Sequence, residues 1–321
     1  MPHGAVTCLR LDHTLPYAWP ELLAFLGARA IPGVEAVEGG RYLRTIALDG
    51  TVGWVAVEPG KGGAYLTAEV RLAQRVVWPV PGTPAIPAQV GIEARIEIIQ
   101  ARLRRIFDLD ADVAEIERRL SCDPHLRPLV EARPGLRVPG TWDPFELAVR
   151  AILGQQVSVP AARTLAGRFA TTQGWLLDPP PPPGVPGTVF PSAADVRPDQ
   201  LVRLGVTGPR AAALASLARK VAAEPDVLAS GGALDSTVAR LTALPGVGPW
   251  TAHYIAMRAL REPDAFPHGD LGLLRALEEG GHRPSPAELL RRAEAWRPYR
   301  AYAALHLWSV GTPPRLSENR R

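Results

Sequence analysis

The chain has 321 residues, 46% of them hydrophobic and 21% charged, which fits a folded protein of two or three domains and excludes a disordered or fibrous one. Its two cysteines, Cys8 and Cys122, stand far apart, which excludes a disulfide framework, a zinc knuckle and a cysteine-held iron–sulfur cluster; two buried thiols are expected. The net charge of +4 rests almost wholly on arginine, with lysine only at Lys61 and Lys220, and favours a polyanionic partner.

Met1–His13 lacks a basic start followed by an apolar run, so no secretory leader is expected. No apolar run is long enough to span a bilayer, so no membrane partner is expected and a cytoplasmic location is. Ala5–Leu11, Tyr42–Leu48, Val52–Val57 and Ala64–Leu72 are rich in β-formers with partial alternation, split by Gly pairs and Asp-Gly. Trp19–Ala30 carries Leu22, Leu23, Phe25 and Leu26 at helical spacing, and Ile92–Phe107 places five aliphatic residues on one stripe. An antiparallel sheet covered by helices follows, as an α+β domain over residues 1–112.

From about Asp110 helix signals follow one another, which predicts an all-α region over residues 113–321. Asp143-Pro144 opens a helix through Leu153, Ser158-Val-Pro160 opens the next, and Pro209–Val221, Asp235–Leu241, Trp250–Leu260 and Asp270–Glu278 follow. Ser285-Pro-Ala-Glu288 is a capping box, and Pro298–Trp308 is the last helix before a polar tail, Thr312–Arg321. Pro179–Pro183 with Gly184, Pro186 and Gly187 forms an irregular insertion or stiff linker over 179–187. Leu204-Gly-Val-Thr-Gly-Pro-Arg-Ala211 loosely echoes Leu244-Pro-Gly-Val-Gly-Pro-Trp-Thr251 and is read as a second helix–turn–helix.

The turn 244–249 deserves a chemical reading. Gly246 and Gly248 allow unusual backbone angles and place no side chain in the way, and Pro249 suits a first helical turn. The N–H groups that open the following helix then face any approaching anion, favoured by the helix dipole. Gly and Pro also make plain helix connections, so the turn alone does not decide for phosphate.

The context adds to it. Leu244-Pro-Gly-Val-Gly-Pro-Trp-Thr-Ala252, an apolar helix and then Phe266-Pro-His-Gly-Asp270 resemble the helix–hairpin–helix superfamily of base-excision DNA glycosylases. Further segments narrow the resemblance to the AlkA-type 3-methyladenine DNA glycosylases. They include Ala28–Ala36, Arg105–Leu109, Arg133–Gly140, Phe145–Ser158 and Trp296–Trp308, spread over nearly the whole chain. The resemblance implies an α+β domain followed by a two-lobed helical domain with a cleft between its lobes. It implies damaged double-stranded DNA as partner, a monomer associated with the nucleoid, and no cofactor.

Asp270 occupies the family's catalytic position. A carboxylate there can stabilise the positive charge that builds on the sugar as a base departs, and can orient water. An acid at a helix start is also an ordinary N-cap, and one side chain can serve both roles. Trp250 and Tyr254 are one helical turn apart, and Trp308 matches the second pocket tryptophan; Phe25 adds a wall from the first domain. Aromatic faces attract the cationic character of alkylated purines, and the base must leave the duplex stack to reach them. Gly246, Gly248, Pro249 and Thr251 are assigned to DNA, with carbonyls of Leu244 and Val247 as candidate ligands of a structural monovalent cation.

Two positions depart from the family's pattern. Gln156 stands at the intercalating position in Gly154-Gln-Gln-Val-Ser158, where leucine is usual, and Leu271 follows the acid where an aromatic can occur. Lyase members carry a lysine in the hairpin, where this chain has Trp250, so a monofunctional enzyme is expected. His125, His253, His268, His282 and His306 show no metal-ligand spacing, and are read as surface or core residues. The rivals are a non-catalytic binder of damaged DNA and a glycosylase of this fold for deaminated or oxidised bases.

Overall fold

A computed structural model describes residues 6–48, 50–73 and 91–311. Ala5 and the tail Thr312–Arg321, assigned above to a strand start and a polar end, lie outside these residues. Strands β1 (Val6–Asp12), β2 (Glu35–Glu38), β3 (Arg41–Leu48), β4 (Thr51–Pro59) and β5 (Tyr65–Ala73) form a five-stranded sheet in the order β1-β5-β4-β3-β2. Every neighbouring pair is antiparallel, in the register Val57↔Tyr42 and Val55↔Val70. Helix α1 (Trp19–Arg29) and helix α2 (Ile92–Phe107) cover one face, where Trp19, Leu22, Leu26, Ile99, Leu103 and Phe107 pack with Tyr42, Val55 and Val70.

The other face is covered by an element that the sequence reading did not anticipate. The region expected to be all-helical contains a small hairpin, β6 (Trp175–Leu176) with β7 (Thr188–Val189). Leu177 and Val189 close over Leu43, Val52, Trp54 and Ala56. Left in water, each large apolar side chain of that face would forfeit about 1.5–3 kcal/mol. The Pro179–Pro183 run is irregular and mostly exposed, yet its flanks return to the sheet. The Thr188 N–H donates to the Gly33 carbonyl at 2.8 Å and the Thr45 hydroxyl to the Thr188 carbonyl at 2.6 Å. The insertion is therefore a cover for the sheet rather than a linker. It also explains why β3 and β4 read as nearly continuous apolar runs: they are buried on both faces.

The helical part comprises α3 (Val113–Leu120), α4 (Arg127–Ala132), α5 (Pro144–Leu153), α6 (Val159–Gln173), α7 (Gly208–Ala223), α8 (Leu234–Thr242), α9 (Pro249–Arg258), α10 (Leu271–Ala276), α11 (Pro286–Ala293) and α12 (Arg300–Trp308), with short 3₁₀ segments between them. The expected caps are present: Asp143, Ser158 and Ser285 each accept from the N–H three residues on. Helix α5 is apolar on every side from Leu147 to Leu153 except Arg150, because α6, α7 and α9 all pack on it. α10 in turn packs on α12, and this pairing builds the site.

A buried charge cluster joins the sheet to α5. Arg44 donates to Glu146 at 2.7 Å, Arg150 to Glu35 at 3.0 Å, and the Tyr42 hydroxyl to Glu35 at 2.5 Å. Burial alone would raise the Glu35 carboxyl, but Arg150 and Arg44 outweigh it and hold the group below its usual value. The expectation of two buried thiols fails. Cys8 lies on an outward position of the edge strand β1 and Cys122 just beyond α3, and both are exposed. Cysteine's general preference for the interior yields here to the strand's alternation and to a helix end.

Candidate active site

The hairpin between α8 and α9 is anchored by Leu244 and Val247, both buried. Gly246 has φ +78, and a Cβ on it would sit 2.5 Å from the Ala213 Cβ of α7, so conformation and space both require glycine. Gly248 differs: its backbone is extended and a Cβ there would meet nothing within 4 Å. Its bareness leaves room for something outside the chain. Pro249 occupies the first helical position, and no side chain caps α9, so the N–H groups that open the helix have no side-chain acceptor. The Leu244 carbonyl, assigned above to a cation, accepts the Val247 N–H at 3.1 Å.

The turn between α5 and α6 lies against this hairpin. The Gln155 amide donates to the Gly246 carbonyl at 2.8 Å and to the Thr251 hydroxyl at 3.1 Å. Arg210, at the start of α7, donates to the Gln155 carbonyl at 2.6 Å. Gln155 and Arg210 were not singled out in the sequence, and together they hold the next residue. That residue, Gln156, is exposed and takes φ +55, a conformation uncommon for a residue with a side chain. The Thr251 side chain, expected at the DNA surface, is buried and spent on Gln155.

Asp270 is held from three sides. Its Oδ2 accepts from the Trp250 indole Nε1 at 2.9 Å, and its Oδ1 from the Trp308 Nε1 at 2.9 Å. Oδ1 also accepts the Leu273 N–H at 3.1 Å, so the acid is the N-cap of α10 as well. The N-cap reading of this residue is therefore observed, and the same carboxylate also accepts from two indoles. A Cβ at Gly272 would lie 2.9 Å from Asp270 Oδ1 and 3.2 Å from the Trp308 ring. Gly272 thus clears the space in which acid and indole meet, a role hidden in the sequence because it depends on α12.

Trp250 and Tyr254 are stacked with ring centroids 5.2 Å apart at 8°, and Trp308 lies 6.5 Å from Tyr254 at 59°. The inner faces of the first two rings therefore cover each other. Arg258, one turn beyond Tyr254, donates to its hydroxyl at 2.9 Å and lies 4.8 Å from the Phe25 centroid, which joins Phe25 to this group. Burial pushes the Tyr254 phenol up, yet Arg258 and Arg29 outweigh it and bring it down to about 8. Leu271 is 47% exposed and stands at the rim. His253 and His268 meet edge to face at 5.9 Å, and His253 accepts the Phe266 N–H at 3.3 Å, bracing the loop that leads to Asp270. Burial brings His253 down to about 4, so it is neutral near pH 7. Lys220 pairs with Glu224 at 2.7 Å near the far end of α7, away from these groups.

The profile of the AlkA N-terminal domain matches residues 8–143. DNA-3-methyladenine glycosylase 2 of Escherichia coli is 35% identical over 299 residues, which cover 91% of this chain and 94% of that protein. The chain belongs to the AlkA family of DNA-3-methyladenine glycosylases. Another AlkA relative, the probable bifunctional transcriptional activator/DNA repair enzyme of Mycobacterium tuberculosis, is 37% identical over 302 residues; the match takes in 94% of this chain but only 56% of that protein. Among solved structures, the 3-methyladenine DNA glycosylase of Archaeoglobus fulgidus superposes with a TM-score of 0.76 at 22% identity, covering 94% of this chain and 97% of that one. An 8-oxoguanine glycosylase/lyase of Clostridium acetobutylicum gives 0.68 at 17% identity, covering 96% and 99%. At these identities the two structures speak for the fold alone, which AlkA proteins share with enzymes named for other lesions. No helix among the described residues is long and apolar enough to cross a membrane.

Proposed function

We propose that the protein is a monofunctional DNA glycosylase that excises alkylated bases from double-stranded DNA and leaves an abasic site. The observation that carries this reading is the Asp270 carboxylate, gripped by the indole N–H groups of Trp250 and Trp308 beside the Tyr254 ring. Two donors on two different helices fix the acid's orientation before any substrate arrives. A base flipped from the stack would lie on the aromatic rings with its sugar toward Asp270. As the glycosidic bond breaks, its electron pair leaves with the base and positive charge grows on the sugar. Asp270 stabilises that charge and takes a proton from the water whose oxygen bonds to the sugar carbon.

The bare Gly248 and the uncapped N–H groups of Trp250 and Thr251 suit a phosphate of the duplex. Gln156 projects from a braced turn at the place where a side chain would fill the gap in the stack. Trp250 stands where a lyase needs an amine, so strand cleavage is not part of the reaction. The test is release of free base from alkylated, deaminated and oxidised duplexes. Alkylated DNA should lose base without strand nicking, and Asp270→Asn should slow release by about 10²–10⁴-fold. Full activity in Asp270→Asn would defeat the mechanism. Duplex binding with no base release by the wild type would establish a non-catalytic binder instead.

A further inference from the structure

The loop that brings Asp270 to the site is tied to α12 at both of its ends. At one end Trp308, the last residue of α12, donates its indole N–H to Asp270 Oδ1 at 2.9 Å. At the other end Arg300, the first residue of the same helix, grips Asp264 with a fork: Nε donates to Oδ1 at 2.7 Å and Nη2 to Oδ2 at 2.8 Å. Beside it the Ala301 N–H donates to the Pro263 carbonyl at 2.9 Å. The Arg300 side chain is 4% exposed and that of Asp264 16%, so the pair stands largely out of water, and its two parallel bonds fix direction as well as distance. The remaining partners lie further out. Arg300 Nη1 donates to Glu294 at 3.3 Å, and the half-exposed Arg297 donates to Asp264 Oδ2 at 2.5 Å and to Glu294 at 2.8 Å.

The segments between these two ties are stiff. On one side runs α12, two turns and about 12 Å long, with Ala301, Ala303, Ala304, Leu305 and Leu307 buried. On the other side the loop folds on itself: the Ala265 N–H donates to the Glu262 carbonyl, that of His268 to Phe266 and that of Asp270 to Pro267. Phe266 is wholly buried, its ring edge to face with Trp296 at 5.8 Å and its N–H on His253. A shift at Asp264 is therefore passed on to Asp270 rather than absorbed.

Resting on the base-excision reading, we infer that Asp264 and Arg300 are a positioning pair: their fork sets where α12 stands against the acid's loop, and thereby the Trp308–Asp270 hydrogen bond that aims the carboxylate. Both residues act from the opposite end of α12. A buried ion pair is a weak source of stability, because desolvation offsets much of its attraction; the directional fork is what an apolar contact of the same size would lack. Without the fork Asp270 keeps the Trp250 indole and the Leu273 N–H, so it still caps α10; the donor it loses is the one that α12 supplies.

The test is a double-mutant cycle on the full chain, read as the single-turnover rate of N7-methylguanine release from a duplex, with enzyme in excess and the rate taken per folded molecule. Asp264→Asn keeps the shape of the side chain and breaks the charged fork. It should slow release about 10–100-fold at unchanged duplex affinity. In the Trp308→Phe background, where no indole N–H is left to aim, the further loss should shrink to less than about twofold. Arg300→Lys, which keeps the charge and loses the fork, should show the same pattern and serves where Asp264→Asn does not fold. Arg297→Ala removes the half-exposed partner of the same carboxylate and should leave the rate near the wild-type value. A full further loss in the Trp308→Phe background, an unchanged rate in both Asp264→Asn and Arg300→Lys, a fall in duplex affinity as large as the fall in rate, or an equal loss in Arg297→Ala overturns the inference while leaving base excision standing. No release of base by the wild type overturns both.

Discussion

Two turns of the helical part share a backbone and do different work. Gly205 before α7 has φ +74 and Gly246 before α9 has φ +78; each is followed by a valine and then by an extended N-cap, Thr207 or Gly248. The difference lies one residue further on. Proline is the first residue of α9, where its missing N–H costs nothing, and the N–H groups of Trp250 and Thr251 stay consecutive. In α7 the proline is second, after Gly208, and removes the middle donor of the first turn. The cap differs too: glycine leaves the first cradle bare, whereas threonine partly fills the second. Arg210 then turns inward to the Gln155 carbonyl, and Ala213 packs under Gly246. One turn carries a bare glycine cap, and the other scaffolds it. A backbone motif therefore states that a helix begins; the placement of one proline and one Cβ states what the beginning can hold.

The comparison is broken most severely at the two left-handed glycines. Gly246→Ala adds a left-handed penalty of about 1–2 kcal/mol and an overpacking cost of about 1–3 kcal/mol against Ala213. Gly205→Ala adds the first cost only, since its Cβ would meet nothing closer than the end of the Arg168 side chain at 3.3 Å. Denaturant unfolding should rank Gly246→Ala clearly below Gly205→Ala. Equal losses would mean that the two turns are packed alike.

Exchanging the caps has a smaller effect and separates binding from stability. Threonine and glycine are near-equal N-caps, so Gly248→Thr should leave stability within about 0.5 kcal/mol. Its side chain would nevertheless occupy the cradle and compete for its N–H groups. Duplex affinity should fall about tenfold, with the slope of log K against log salt reduced by about 0.9. Thr207→Gly should change neither quantity. Matching salt slopes in the two variants would assign phosphate contacts to both turns.

Arg210→Ala should have the mildest outcome. It removes a hydrogen bond worth about 1–2 kcal/mol, and the Gln156 turn loosens. Base release should drop a few-fold at an unchanged salt slope, since no phosphate contact is lost. A reduced slope would place Arg210 on the DNA instead of on the scaffold.

Much of the site was legible in the chain because its determinants are local. The caps Asp143, Ser158 and Ser285 each bond a backbone N–H three residues away, and any sequence window contains both partners. Trp250 and Tyr254 share a helical face for the same reason, and Asp270 followed by Leu273 is a cap on its own terms. The hairpin's two glycines are equally plain, although only the structure separates the obligatory Gly246 from the optional Gly248.

Tertiary structure decided everything that needs two distant segments. Trp308 reaches Asp270 across 38 residues, Gln155 reaches Gly246 across 91, and Thr45 reaches the proline-rich insertion across 143. No period or cap encodes such pairings. The sequence by itself determined which residues start helices and which faces are apolar, because these follow from backbone bonds within a turn. The fold alone decided that the insertion covers a sheet, that both cysteines face outward and that two arginines share one aromatic ring, because burial depends on what the rest of the chain brings to each surface.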